Sequence, residues 1–226
     1  MTETNLHRAL PADFCPIESL ERFQAYGCVR RYQKGSFIAW PGEHSHQIIY
    51  VLSGRLVVGR LLAAGEEHLI YHAGRHCIVG RMFDVRDDDS YFVRALEDSR
   101  CCFFSREQLT EIFQQDMEMA FDIIKNYYSK VSYYMNQLTE IRIYPPPQRL
   151  IRMLRDLFRE KGCLEDGAVL PIQLTQQDIT AITGIHYVSV SRILKNLKEA
   201  GILTKTRSRL VLHDAARLNS LALSEK

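Results

Sequence analysis

The chain has 226 residues, of which 46% are hydrophobic and 25% are charged. It is therefore long enough for one large or two ordinary domains, and its composition excludes general disorder. We find no apolar run near the roughly 18 residues of a membrane span and no signal-peptide pattern, so we expect a soluble cytoplasmic protein. The net charge of +2 hides an asymmetry, because residues 1–145 carry −3 and residues 146–226 carry +5. The C-terminal third is thus the part expected to meet a polyanion.

Residues 15–106 contain short apolar runs punctuated by glycines. KGSFIAWPGE, QIIYVLSGRLVVGRLLAAGEE and HLIYHAGRHCIVG each have runs of strand length. Pro41–Gly42 is expected to begin a turn, and Gly65–Glu66 to lie at a hairpin tip. The spacing indicates an antiparallel sandwich or barrel, with a first domain over residues 1–106.

Residues 107–143 have a helical pattern. Their apolar residues repeat with spacings of 4 and 3, which is typical of a coiled-coil seam. We therefore predict a dimerisation helix and a two-fold homodimer, although a helix packed on its own domain is the alternative. The predicted seam consists of Met117, Phe121, Ile124, Tyr128, Val131, Met135 and Leu138.

Tyr144 is followed by three prolines, which do not continue a helix. We assign residues 144–147 as a hinge and residues 148–226 as a second domain. Leu150, Leu154 and Leu157 then mark a new amphipathic helix that ends near Gly162.

A helix-turn-helix pattern lies within residues 174–197. Thr175 and Asp178 match a capping box, which begins a helix, and Gly184 provides the turn. Val190, Ile193, Leu194 and Leu197 would bury one face of the second helix. The opposite face is the predicted reading face, and it consists of Tyr187, Val188, Ser191, Arg192 and Lys195.

GILTKTRSRLVLH reads as two strands joined by a basic turn, which is the pattern of a wing. Lys205, Arg207 and Arg209 would contact DNA phosphates there. An αα-hairpin without a DNA role would explain neither this basic wing nor the positive charge of the domain. We therefore predict double-stranded DNA as a partner.

With these segments in this order, nearly the whole chain resembles the CRP/FNR family of transcription regulators. The resemblance implies an α+β chain with an N-terminal cyclic-nucleotide-binding-like β-roll, a long dimerisation helix and a C-terminal winged helix-turn-helix. TQQDITAITG and VSVSRILKNL match the DNA motif of the family. A regulator of this kind is a homodimer that binds a palindromic promoter and works with RNA polymerase, and it is not an enzyme.

The sensor differs from two branches of that family. Cyclic-nucleotide binders carry a glutamate where Arg81 stands, and Asp87, Asp88 and Asp89 would repel a phosphate. Iron–sulfur sensors need clustered cysteines, and Cys15 with Cys28 does not make such a set. We expect no cofactor, no metal and no catalytic residue.

CPIESLERF, LIYHAG, VGRM, IIKNYYSKVSYY and GIHYVSVSR resemble the halorespiration regulators of the family, the CprK-like branch, which sense chlorinated phenols. The resemblance implies that an ortho-chlorinated phenol, such as a chlorinated hydroxyphenyl acid, binds between the β-roll and the long helix and activates reductive-dehalogenation genes. By position, the effector site would use Tyr71, Arg81, Tyr127 and Lys130. That branch has lysine where Arg81 stands. It also has a pair of cysteines that joins the two domains, and Asn196 occupies one of those two positions in this chain.

The chemistry of such a site is consistent with this effector. Chlorine makes a phenol more acidic, and cations favour its ionised form. Lys130 and Arg81 would bind the phenolate or a carboxylate, while Tyr71 and Tyr127 offer rings and hydroxyls. A dehalogenated product, being less acidic, would bind less tightly.

Val188 bears on the DNA sequence that is read. Family members with glutamate at this position accept a hydrogen bond from cytosine, whereas valine methyls suit the methyl group of thymine. We therefore expect a TTAAT–four bases–ATTAA operator in place of TTGAT half-sites. Arg192 would keep the bidentate contact to a guanine, Ser191 would reach a neighbouring base, and Tyr187 and Lys195 would hold phosphates.

Two alternatives stay open. The first is a regulator on the same frame, for example of anaerobic metabolism, that senses another small molecule or a redox signal through one of the six cysteines. The second is a cupin-like metalloenzyme built on His44, His46, His68 and His72. It is disfavoured because Tyr50 stands where a metal-binding glutamate would be needed.

Overall fold

The computed structural model describes residues 14–43, 46–62, 65, 67–80, 90–172, 174–206 and 209–224. The described residues form two compact units, one ending at Tyr133 and the other beginning at Tyr134. Arg81, Arg207, Glu66, His44 and the three consecutive aspartates lie outside the described residues. No helix of the described part is long and apolar enough to cross a membrane.

The first unit is an antiparallel β-roll preceded by a 3-10 helix, Glu18–Tyr26. Its described residues form eight strands: β1 Cys28–Tyr32, β2 Phe37–Ala39, β3 Ile48–Ser53, β4 Leu56–Leu61, β5 Glu67–Ala73, β6 Ile78–Gly80, β7 Tyr91–Ala95 and β8 Ser99–Phe104. These strands form two four-stranded sheets, in the orders β1-β8-β3-β6 and β2-β7-β4-β5. The predicted sandwich is confirmed.

Strand β3 shows why this unit is well packed. Its side chains alternate between two apolar clusters, since successive residues of a strand point to opposite faces. Ile48 and Tyr50 join a cluster covered by the 3-10 helix, whereas Ile49 and Val51 face the second sheet. The 3-10 helix was missed from the sequence, where residues from 15 on were read as strands.

The predicted helix 107–143 is two helices, α1 Arg106–Gln115 and α2 Glu118–Ile143. Asp116 ends α1, and its Oδ1 accepts a hydrogen bond from the Glu118 N–H at 3.2 Å, next to the start of α2. The boundary of 107 was off by one residue, because Ser105 caps α1 through a capping box with Gln108. Met117 lies in the turn before α2, so the prediction of one unbroken helix that includes Met117 was wrong.

The assignment of residues 144–147 as a hinge was also partly wrong. Helix α3 spans Pro146–Glu160, with Pro145 as its N-cap, so Pro146 and Pro147 are the first two helical residues. Proline is tolerated there because the first N–H groups of a helix have no intrahelical partner. Only Tyr144 and Pro145 separate α2 from α3.

In the described part of the second unit, α3, three further helices and a short two-stranded sheet form one apolar core. Val190, Ile193, Leu194 and Leu197 are all buried in this core, as the spacing predicts. The elements are α4 Gln176–Thr183, α5 Tyr187–Glu199, β9 Leu203–Lys205, β10 Leu210–Leu212 and α6 Ala215–Leu223. Strands β9 and β10 pair antiparallel, which is the predicted wing.

Candidate functional site: a reading helix, a sensor lysine and an exposed seam

Local capping fixes the two helices of the predicted DNA motif. The Asp178 N–H donates to Thr175 Oγ1 at 3.1 Å, and the Thr175 N–H donates to Asp178 Oδ2 at 2.7 Å. Helix α4 ends at Gly184, whose φ of +63° is a conformation that glycine adopts without strain. His186 then caps α5 by accepting the Val188 N–H at its Nδ1.

Helix α5 presents its first turn to solvent. Tyr187 and Val188 are about half exposed, and Arg192 is also exposed. Side chains at the N-terminus of such a helix are the ones that reach base edges in a helix-turn-helix. Val188 is 55% exposed, so much of its side chain is available for contact with DNA.

Two predicted contact residues are less available than expected. The Gln176 side chain donates to Ser191 Oγ at 2.5 Å, so the Ser191 hydroxyl is already engaged. Lys205 is half-buried, and its Nζ donates to the Thr206 carbonyl at 3.1 Å. Burial lowers its pKa. Arg209 is exposed at the other side of the wing.

A groove of about 770 Å³ lies between the reading helix and the wing. Lys195 lies along it, in an exposed ion pair with Glu199 at 3.7 Å. Gln176 and Lys198 also line the groove and were missed, although Lys198 follows Lys195 by three residues and so shares its helix face. The lining residues are Thr175, Gln176, Tyr187, Ser191, Leu194, Lys195, Lys198, Lys205 and Thr206.

Three of the four predicted sensor residues, Tyr71, Tyr127 and Lys130, come together where α2 contacts the β-roll, whereas Arg81 lies outside the described residues. Lys130 is only 6% exposed, and its Nζ donates to the Ile78 carbonyl at 2.6 Å. The ammonium lies 5.3 Å from the ring centre of Tyr71 and 4.8 Å from that of Tyr127. The alternative that Lys130 is ordinary helix surface is thus wrong.

Burial shapes the protonation of this cluster. It lowers the pKa of Lys130 to about 8, with a smaller opposing contribution from Cys77. It raises the pKa of Tyr127 to about 12. Tyr127 donates its hydroxyl to the Gly80 carbonyl at 3.1 Å. Within the described part of the chain, no carboxylate is paired with Lys130.

Further residues around the cluster were not predicted. The Phe14 ring contacts Tyr71 and Tyr133 edge to face, at 5.7 and 5.8 Å. Fully buried Asn126 donates to the Phe14 carbonyl at 2.6 Å, and its Oδ1 has no hydrogen-bond partner among the described residues. Asn126 lies four residues before Lys130, and this helical spacing was the available signal.

The predicted dimer seam is exposed in the single chain. Phe121, Ile124, Tyr128, Val131, Met135 and Leu138 are each more than half exposed along α2, as is Met117 before it. Such a continuous apolar stripe on a 26-residue helix is a typical dimer interface. Ile141 extends the exposed apolar surface by another turn.

The competing sites find less support. Tyr50 is fully buried and donates its hydroxyl to the Ile17 carbonyl, so it fills a core position. The described residues contain no group of three or more His, Cys, Asp or Glu able to hold a metal. All six cysteines lie in the described ranges, and none of them forms a disulfide there.

Comparison with known proteins decides the family. A Crp-like helix-turn-helix domain matches residues 148–221, and a cyclic nucleotide-binding domain matches residues 29–116. A solved structure of a single-residue variant of CprK in complex with OCPA is 32% identical to this chain, and the match covers 94% of this chain and 97% of the CprK chain. It superposes with a TM-score of 0.85. The chain belongs to the CRP/FNR family of transcription regulators.

Two more relatives support this membership. An oxidized CprK structure in complex with o-chlorophenolacetic acid is 31% identical, covers 96% of this chain and 92% of its own, and has a TM-score of 0.56. The anaerobic regulatory protein of Bacillus subtilis is 21% identical over 91% of this chain and 88% of its own length. As a CRP/FNR protein, the chain is a ligand-responsive, DNA-binding regulator and not an enzyme, as predicted.

Proposed function

We propose that this CRP/FNR regulator binds an ortho-chlorinated phenolic acid beside Lys130 and then binds a TTAAT–four bases–ATTAA operator as a homodimer. By this proposal it activates genes of reductive dehalogenation. The observation that carries the proposal is the buried ammonium of Lys130, which lies between two tyrosine rings. Among the described residues, its hydrogen-bond partner is one backbone carbonyl.

A buried cation of this kind favours an anionic aromatic ligand. Desolvating an ammonium costs free energy, and an ionised ligand would offset that cost by a charge-assisted hydrogen bond. The rings of Tyr71 and Tyr127 would stack on or edge against an aromatic ligand. Arg81, which follows Gly80 directly, is proposed as the second cation of the site.

The likeness to CprK in complex with o-chlorophenolacetic acid supports this ligand class. The arrangement of Tyr71, Tyr127 and Lys130, with a cation between two aromatic rings, supports the same ligand class. A cyclic nucleotide fits less well, because Arg81 and the following aspartates replace the phosphate-binding pattern.

Ligand binding would act through α2. Tyr127 and Lys130 hold α2 to β6 by bonds to two carbonyls of the β-roll. They also lie beside Tyr128 and Val131 of the apolar seam. A ligand that takes the Ile78 carbonyl's place on Lys130 would therefore change both the strand contact and the helix that forms the dimer axis.

The test is calorimetric titration of 3-chloro-4-hydroxyphenylacetic acid into the full-length protein. We expect saturable binding that Lys130→Met weakens at least ten-fold, since a hydrogen bond to a charged group contributes roughly 1.5–3 kcal/mol. Lys125→Met is the matched control, because Lys125 is exposed on the same helix. Equal affinity for the non-chlorinated acid, or undiminished binding by Lys130→Met, would remove the chlorophenol assignment.

A further inference from the structure

Helix α3 carries four arginines at spacings of 3, 3 and 4, which places them on one face of the helix. They line a cavity of about 470 Å³ within the second unit, and this volume falls within the range of small-ligand sites. The end of α2, the end of α4 and Leu223 of α6 also line it. We call this cavity the arginine pocket; its arginines are Arg149, Arg152, Arg155 and Arg159.

The arginine pocket has an excess of positive charge. Among its described lining residues, the carboxylates of Glu140 and Asp156 face four guanidinium groups. Arg152 forms a bidentate ion pair with Glu140, in which its Nε donates to Oε2 at 2.9 Å and its Nη2 donates to Oε1 at 2.8 Å. Asp156 is shared by Arg155 at 2.7 Å and Arg159 at 2.5 Å.

Arg149 is therefore the arginine without a carboxylate among the described pocket residues. Its Nε is buried and has no hydrogen-bond partner in the described part of the chain. A buried donor without an acceptor costs free energy that a bound acceptor would recover. The Nε can therefore turn toward a ligand without breaking a hydrogen bond to the described residues.

We propose that the arginine pocket binds a small phosphoryl oxyanion through Arg149. A guanidinium offers parallel N–H donors that match two oxygens of a phosphate group. The two uncompensated positive charges select an anion, and the helices on the sides of the cavity favour a small ligand over duplex DNA. This site is separate from the effector site at Lys130.

Such a ligand would act on the junction between α2 and α3. Its negative charge would compete with Glu140 for Arg152, and this ion pair links α2 to α3 across Tyr144 and Pro145. Arg152 also packs on the Tyr144 ring at 4.1 Å and donates to the Ala222 carbonyl at 3.0 Å. The anion would thus loosen the start of α3 relative to the end of α2.

The experiment is calorimetric titration of full-length protein, without effector or DNA, at constant ionic strength. Inorganic phosphate and pyrophosphate test the free anions, and adenosine 5′-monophosphate tests a phosphate carried by a larger molecule. We expect one saturable site per protomer that Arg149→Gln weakens about ten-fold or more. Arg149→Lys, which keeps the charge, should retain part of the affinity.

Arg142→Gln is the control, because Arg142 is an exposed cation of the same unit and does not line the pocket. Circular dichroism melting confirms that each variant is folded. The proposal is overturned by an absence of saturable binding with all three probes, or by equal weakening in Arg142→Gln. It is also overturned if Arg149→Gln leaves phosphate binding intact but reduces the salt dependence of DNA binding by about one phosphate contact.

Discussion

Lys130→Met is expected to stabilise the β-roll while weakening binding of the proposed effector at least ten-fold. The pKa of Lys130 falls from 10.5 to about 8 in the folded protein because the ammonium is buried. At 1.36 kcal/mol per pKa unit, keeping this lysine charged at pH 7 costs roughly 3 kcal/mol of folding free energy. The variant also loses the hydrogen bond to the Ile78 carbonyl, which lowers its stability by about 1–2 kcal/mol. We therefore expect a net gain of about 1–2 kcal/mol in the variant.

The dependence of stability on pH distinguishes a gain that comes from removing the buried charge from a gain that comes from better packing of methionine. Between about pH 8 and 10.5 the unfolded chain holds a proton on Lys130 that the folded chain has lost. The free energy of unfolding of the wild type therefore gains a contribution with rising pH in this window, and the variant lacks it. Tyr127 does not interfere, because its pKa is raised to about 12.

The assay is urea unfolding at fixed protein concentration, followed by Trp40 fluorescence. Trp40 is the only tryptophan of the chain and stacks on Phe37 within the β-roll unit, so it reports unfolding of the sensor. Lys125→Met again serves as the control. A Lys130→Met protein that is less stable than the wild type at pH 7 would refute the claim that the buried charge destabilises the wild type. The claim would also be refuted if the free energies of unfolding of the two proteins changed in parallel from pH 7.5 to 10.

Three other predictions concern DNA, assembly and ligand affinity. Val188→Glu should shift the operator preference from A·T to G·C by about ten-fold or more, measured by competition anisotropy; an unchanged preference would contradict the readout. Ile124→Glu combined with Val131→Glu should yield monomers in sedimentation, whereas Lys125→Glu should remain dimeric; a dimeric double variant would exclude the seam. Effector affinity should fall as pH rises above about 8, because Lys130 loses its proton; a constant affinity up to pH 9.5 would show that Lys130 does not bind the anion.

Local signals explain what was correctly predicted from the sequence. The capping box of Thr175 and Asp178, the left-handed Gly184 and the apolar spacing of α5 are each determined within a few residues. The exposed stripe on α2 follows in the same way from its heptad spacing. Such features need no knowledge of distant contacts, and the family motif adds their order along the chain.

The errors have physical causes as well. The 3-10 helix Glu18–Tyr26 buries Leu20 and Phe23, and the same spacing of three continues back to Ile17, which fits three residues per turn. This signal is short and was overlooked. The prolines were taken only as helix breakers, although Pro146 and Pro147 occupy the first turn of α3, where proline is tolerated.

The proposed effector site could be inferred only by resemblance, because the burial of Lys130 depends on contacts that are distant in the sequence. Nothing in the residues around Lys130 shows that it is buried; its burial depends on α2 packing beside β6. The position of Gly80 illustrates this dependence. Its φ is +113°, and a Cβ added there would lie 2.5 Å from the Gln47 carbonyl oxygen. A side chain is therefore excluded at the end of the strand that Tyr127 contacts.

Control of DNA binding by a chlorinated phenol is the central property proposed for this protein. The most direct measurement is the affinity of full-length protein for a labelled TTAAT–four bases–ATTAA duplex at fixed salt, with and without 3-chloro-4-hydroxyphenylacetic acid. Salt must be fixed because phosphate contacts make the affinity strongly salt-dependent. We predict at least ten-fold tighter binding with the chlorinated acid and no such change with 4-hydroxyphenylacetic acid. An affinity that is the same in all three conditions would contradict this control.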